Sequence, residues 1–135
     1  MYLLLLWLGK FIQKATRLFH NSGAALPGKV IERLMPTFLE KALLKLPDGV
    51  IVISGTNGKT TTTKIVAETL QKLGEKVMTN TSGSNMTRGL ISTVVRHSKS
   101  FGRLPFDVAV LEVDEAYAAV LAKKVPIRAA LVLNV

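Results

Sequence analysis

The stretch Val50-Ile51-Val52-Ile53-Ser54-Gly55-Thr56-Asn57-Gly58-Lys59-Thr60 decides how this chain is read. It joins a short, uninterrupted apolar run to a glycine-containing turn and then to a segment of helical pattern. An apolar run that does not alternate with polar residues suits a strand buried on both faces, which means a parallel sheet with helices on each side. The turn from Gly55 to Thr60 has what phosphate binding needs. Its glycines let backbone N–H groups approach oxygens, the helix start adds positive potential, Lys59 neutralises charge, and the Thr60 hydroxyl reaches a magnesium ion. We read Gly55, Thr56, Asn57, Gly58, Lys59, Thr60 and Thr61 as contacts for the phosphates of ATP, with Mg2+. The triplet Gly58-Lys59-Thr60 alone would arise by chance in roughly one chain in fifteen of this length. The strand before it and the helix after it carry the argument against a plain turn whose lysine is merely solvated.

Outward from this loop the pattern repeats. Apolar runs at Val77–Met78, Val108–Val113 and Ala129–Val135 alternate with helical segments at Lys59–Leu73, Met86–His97 and Glu115–Lys124. This order predicts an α/β fold with a mostly parallel sheet and ligands at the carboxyl ends of its strands. The last run, Leu131 to Val135, stops in mid-pattern, and the chain reads as truncated. Residues 1–47 differ: they read as a helical lead-in, with Pro47-Asp48-Gly49 as the boundary to residues 48–135. In the lead-in, a first helix is expected to end near Asn21-Ser22-Gly23, and Pro27-Gly28 to form a turn. Thr37 and Glu40 have capping-box spacing, and Phe38, Leu39, Ala42, Leu43 and Leu46 make an apolar stripe that Pro47 ends.

The 135 residues carry a formal charge of +9 and contain no cysteine, which removes disulfides, zinc–thiolate sites and thiol nucleophiles from this stretch. Residues 1–45 hold seven basic residues against Glu32 and Glu40. No basic run is interleaved with aromatics, so nucleic acid is not the expected partner. Met1 to Leu8 is apolar, but Lys10, Lys14 and Arg17 keep the segment from reaching the roughly 20 residues a spanning helix needs. Lys10, Gln13, Lys14 and Arg17 share one helical face, and Phe11, Ala15 and Leu18 another. Residues 1–20 therefore suit either an interfacial helix at a membrane or a helix packed on its own domain with a solvated basic face.

Glu112 is the second candidate. It closes the third core strand, where a carboxylate can hold Mg2+ directly or through water, and a structural role is hard to supply for an acid late in an apolar strand. Asp114 and Glu115 are better explained as N-cap and first-turn acid of the next helix. The polar stretch Asn80 to Asn85 follows the second strand. Its Ser84 and Asn85, together with Arg88, either contact substrate or serve as loop and cap residues. His20 and His97 have no partner at catalytic or metal spacing.

A general phosphate loop has a glycine where this chain has Ile53. The shorter form, an apolar strand followed by GTNGKT and the further threonines Thr61, Thr62 and Thr63, resembles the Mur ligase superfamily, which includes the folylpolyglutamate synthetases. The run Asn80 to Gly89 (NTSGSNMTRG), the run Leu111 to Ala116 (LEVDEA) and the segments Ser22-Gly23 and Pro27 to Val30 are most similar to one branch, the ligase subunits of lipid II isoglutaminyl synthases. The resemblance covers essentially the whole chain but only the N-terminal portion of the family. It implies an ATP-dependent carbon–nitrogen ligase acting in peptidoglycan synthesis on the cytoplasmic side of the membrane. Such an enzyme amidates the D-glutamate α-carboxylate of lipid II to isoglutamine through an acyl phosphate, with ammonia from a GatD-like glutamine amidotransferase subunit. It further implies Lys59 and Glu112 as catalytic residues, Thr60 and Glu112 as magnesium ligands, and Zn2+ only in a cysteine-rich region further along the family's chain. Two other readings share the loop: a ligase that adds an amino acid instead of ammonia, and a nucleotide-binding or tethering module without catalysis.

Overall fold

The computed structural model describes residues 1–18, 26–80, 87–99 and 103–134. Three helices lead: α1 (Tyr2–Leu18), α2 (Leu26–Leu34) and α3 (Phe38–Leu43). Strands and helices then alternate as β1 (Val50–Gly55), α4 (Lys59–Lys72), β2 (Val77–Thr79), α5 (Thr87–His97), β3 (Val108–Glu112), α6 (Glu115–Ala122) and β4 (Ile127–Leu133). The four strands form one sheet in the order β2-β3-β1-β4, and every pairing is parallel. The α/β class and parallel sheet expected from the sequence are borne out.

Successive strand residues point to opposite faces, so the two sides of the sheet collect different helices. One side carries Val50, Val52, Met78, Ala109 and Leu111 into a large core with Leu6 of α1, Ile31 of α2, Phe38 of α3, Ile91 of α5 and Leu121 of α6. The other carries Ile53, Val77, Val108 and Val110 against Ala67, Val66 and Leu70 of α4. The lead-in helices thus share the core of the sheet. Register places Ile53 beside Glu112 and Gly55 beside Leu133, so β1, β3 and β4 deliver their last residues to one edge.

Three expectations change. Pro27-Gly28 is not a turn but the first turn of α2. Proline is tolerated there because the first N–H groups of a helix have no partner within it. Gly28 is needed because α2 presses on α5: a Cβ at Gly28 would sit 2.0 Å from the Arg88 carbonyl oxygen, and its N–H donates to Ser92 Oγ at 3.1 Å. At α3, Thr37 occupies the N-cap position but makes no side-chain cap hydrogen bond. Glu40 pairs with Lys124 Nζ at 2.8 Å instead of reaching back to close the box. Continuous apolar sequence implied burial on both faces, which holds for β1 and β3 but not for β4, where Arg128, Ala129, Ala130 and Val132 are exposed. Among the described residues β4 pairs only with β1, so it is an edge strand. The end of the first helix, near residues 21–23, lies outside the described residues.

In α1, Leu5, Leu6 and Gly9 face the core, while Leu4, Trp7, Leu8 and Phe11 are exposed; of the polar face, Lys14 is exposed and Lys10 half-buried. No helix among the described residues is long and apolar enough to cross a membrane.

Candidate functional site

The site is assembled at the carboxyl edge, starting from a backbone constraint. Gly55 ends β1 with φ +128°, and a Cβ there would fall 1.7 Å from the Leu133 carbonyl oxygen on β4. Only glycine lets the two strands run this close while the chain turns. Gly58 follows with φ +82° at the N-cap of α4 and brings no side chain to the N–H groups of the first turn. The N-terminal end of a 14-residue helix therefore opens onto the loop with its donors and positive dipole end.

The chain just past β4 ties the loop down. Thr56 N–H donates to the Asn134 carbonyl at 3.2 Å, and Asn57 N–H to Asn134 Oδ1 at 3.1 Å. Lys59 curls back over the turn, donating from Nζ to the carbonyls of Gly55 and Thr56. Its ammonium therefore sits across the loop that formed it.

Glu112 closes β3 and is only 7% exposed. Its Oε2 accepts the Thr60 hydroxyl at 2.9 Å, joining positions 52 residues apart. Asn80, equally buried, brackets the same residue: its Nδ2 donates to the Glu112 carbonyl and its Oδ1 accepts the Glu112 N–H, both at 2.8 Å. The Asn80 side chain so continues the β2–β3 ladder beyond the end of β2 and holds the backbone from which the carboxylate projects.

Two cavities meet at Thr60 and Glu112. One, of about 290 Å³, is lined by residues 56–61 and Glu112. The other, of about 250 Å³, adds Thr63, Thr79 and Asn80. The hydroxyls of Thr63, in this second cavity, and of Ser54, beside Gly55, are buried and have no hydrogen-bond partner among the described residues. Buried hydroxyls normally find partners, so two orphans beside the loop fit a site that takes a polar ligand or ordered water. A carboxylate and a hydroxyl in contact form a hard oxygen donor pair, the type Mg2+ prefers. Residues 55–61 and Glu112 thus suit a nucleotide phosphate with its magnesium ion.

The structure brings together Lys59, Thr60 and Glu112, and leaves other candidates apart. Asp114 stands at the N-cap of α6 with extended backbone, and Glu115 is exposed in that helix's first turn. Arg88 is engaged elsewhere, with Nε 2.8 Å from Glu32 Oε2 on α2. Ser84 and Asn85, with the rest of the stretch from Thr81, lie outside the described residues, as does His20. Asn80 and Asn134 were missed as individual contributors. The available signal for Asn80 was a lone amide directly after a strand on the ligand edge, and nothing in the sequence told it apart from the polar residues that follow.

Comparison with known proteins bears on the same elements. The Mur ligase middle domain matches residues 53–135, from the end of β1 through β4. The chain belongs to the Mur ligase family. The lipid II isoglutaminyl synthase (glutamine-hydrolyzing) subunit MurT of Staphylococcus aureus strain COL is 34% identical over 108 residues, 80% of this chain and 24% of that protein. The subunit of the same name from Streptococcus pneumoniae R6 is 38% identical over 94 residues, 70% of this chain and 20% of that protein. The chain therefore spans about a quarter or less of the length of these relatives, and the Mur ligase match takes in both the 55–60 loop and Glu112.

Proposed function

We propose that this chain is the nucleotide-binding part of an ATP-dependent amide ligase that converts the D-glutamate α-carboxylate of lipid II to the amide. In this reading residues 48–135 are the N-terminal part of the ATP-binding domain, and residues 1–47 a helical lead-in. The observation that carries it is the contact between the Thr60 hydroxyl and the buried Glu112 carboxylate at the mouth of the 55–60 loop, with Lys59 across the same turn. Similarity to MurT subunits supports the choice of substrate and of a GatD-like glutaminase as ammonia source.

The loop amides and the start of α4 hold the phosphate oxygens. Lys59 must release its two backbone carbonyls to reach the γ-phosphate, a short swing of a flexible side chain. Thr60 and Glu112 hold the metal ion, which when bound offsets charge on the phosphates. A carboxylate oxygen of the substrate attacks the γ-phosphorus as the bond to ADP breaks. Ammonia then attacks the acyl carbon, phosphate leaves, and a proton is lost to give the amide. Lys59 stabilises the charge that grows on the transferred group, an interaction worth most in the transition state. Peripheral contact with the inner face of the membrane through residues 1–20 would bring the site near a lipid-linked substrate.

Lys59→Ala in the full-length enzyme with its glutaminase should lower turnover at saturating ATP by orders of magnitude. Turnover within about threefold of wild type, roughly 0.7 kcal/mol, would remove Lys59 from the transition state.

A further inference from the structure

A cavity of about 450 Å³ lies at the amino ends of β2 and β3, on the edge of the sheet away from the 55–60 loop. Four cations line it, and they come from separate connections: Lys45 after α3, Lys76 before β2, and Lys99 and Arg103 between α5 and β3. Backbone contacts fix these connections. The Lys76 N–H donates to the Asp107 carboxylate at 2.9 Å, and the Asp107 N–H returns a bond to the Lys76 carbonyl at 2.8 Å. The Lys99 N–H donates to the Arg103 carbonyl at 2.9 Å, and Lys45 Nζ is held 4.1 Å from the centroid of the Tyr2 ring.

The positive charge gathered here is not balanced by the protein. Asp107 is the only acid among the described lining residues, and one of its oxygens is already taken. None of Lys76, Lys99 and Arg103 enters an ion pair among the described residues. Like charges brought together repel, and an anion between them relieves that repulsion. Leu104 and Phe106 give the cavity an apolar wall, beside which attraction between charges is screened less than in open water.

Charge and size select the anion. Four cations less one carboxylate leave a net charge of +3. A single phosphate group carries about −1.5 to −2 at neutral pH, so two are needed to match. The volume also falls in the range of small-molecule sites, roughly 300–1,000 Å³.

We propose that this amino-edge cavity binds a diphosphate group, at a site separate from the nucleotide loop. Arg103 suits a two-point contact with phosphoryl oxygens, and Lys76 and Lys99 act as point charges. The five residues of β3, about 17 Å, lie between the cavity and the loop edge, so no one diphosphate reaches both.

The probe is inorganic pyrophosphate, titrated calorimetrically into the full-length protein without added metal at about 0.05 M salt. Lys59→Ala serves as the background, because it weakens the loop as a competing site. That background should still bind pyrophosphate, and at least about tenfold more tightly than inorganic phosphate. Adding K76Q/R103Q should weaken binding by about tenfold or more. The single reversal Lys99→Glu, on an exposed side chain, should do the same with least risk to folding. Phosphatidylcholine vesicles carrying farnesyl diphosphate distinguish the source of the group. Competition with pyrophosphate that Lys99→Glu abolishes assigns a lipid-linked diphosphate, and no competition assigns a soluble one. If Lys59→Ala by itself abolishes pyrophosphate binding, the loop is the only diphosphate site and the proposal falls. It falls equally if both cavity variants bind within about twofold of their background.

Discussion

Asn80 shows how much of a site can depend on a side chain that need not touch ligand. Its amide supplies one donor and one acceptor to the backbone of Glu112, and both groups are buried. Removing the amide strands an N–H and a carbonyl, at a cost of about 1–3 kcal/mol, and frees the end of β3 to shift. We expect Asn80→Ala to lower the melting temperature and, in the full-length enzyme, to raise the Mg2+ concentration for half-maximal activity by about tenfold or more, as loss of an outer-shell partner typically does. Asn80→Asp keeps the acceptor but sets a buried carboxylate oxygen against the Glu112 carbonyl, so it should destabilise at least as much as Asn80→Ala. A magnesium titration unchanged in Asn80→Ala would reduce the residue to a purely structural one. At this scale the sequence was legible where the chemistry is contiguous. Gly55 to Thr60 announce themselves because two glycines, a lysine and a threonine fall in one turn between strand and helix, and Glu112 because an acid ends an apolar strand. Asn80 and Asn134 were not legible, since each acts through the backbone of residues 32 and 77 positions away.

Among the elements, strands and helices from Val50 onward were legible because period and continuity of apolar residues report burial directly. The lead-in was harder to read. Pro27-Gly28 has the composition of a turn, yet its glycine is fixed by contact with α5, information that lies 60 residues downstream. Gly28→Ala must push the Arg88 carbonyl away from a Cβ that would otherwise lie 2.0 Å from it. Backbone cannot yield as a flexible side chain would, so we expect about 2–4 kcal/mol of destabilisation, read by chemical denaturation. The far end of α5 carries a second dependence. His97 stands in the last turn, where the helix dipole favours a cation, yet burial and then the charge of Arg96 push its pKa below the ordinary 6.5. The unfolded chain therefore binds the proton more readily than the folded one. Stability from this group is complete above pH 6.5 and is lost as pH falls from there toward the lowered folded value. Melting temperature should decline over that window, and the decline should be shallower in His97→Gln; identical pH profiles would show that folding leaves the proton affinity of the imidazole unchanged.

Across the whole molecule, the parallel sheet sorts its features by direction. All four strands run the same way, so one edge collects the loop, Glu112 and Asn134 while the other collects the basic cavity. The loop edge also joins the two faces: α4 begins there and packs on one side, while β3, which ends in Glu112, buries residues on both. A ligand bridging α4 and β3 should therefore stabilise more than its own loop. By mass action, Mg2+–ATP at about one hundred times its dissociation constant adds about 2.7 kcal/mol to a protein that binds it only when folded. We expect Mg2+–ATP to raise the melting temperature of the full-length protein by several degrees. Glu112→Gln should keep the nearly identical shape and the Thr60 contact but lose the metal-dependent part of that rise, because an amide oxygen is a weaker magnesium ligand than a carboxylate. ATP with EDTA then gives the reference: the variant and wild type should respond alike without metal and differ with it. An equal Mg2+-dependent shift in both proteins would take Glu112 out of the metal site and leave its contact with Thr60 as a strut between α4 and β3.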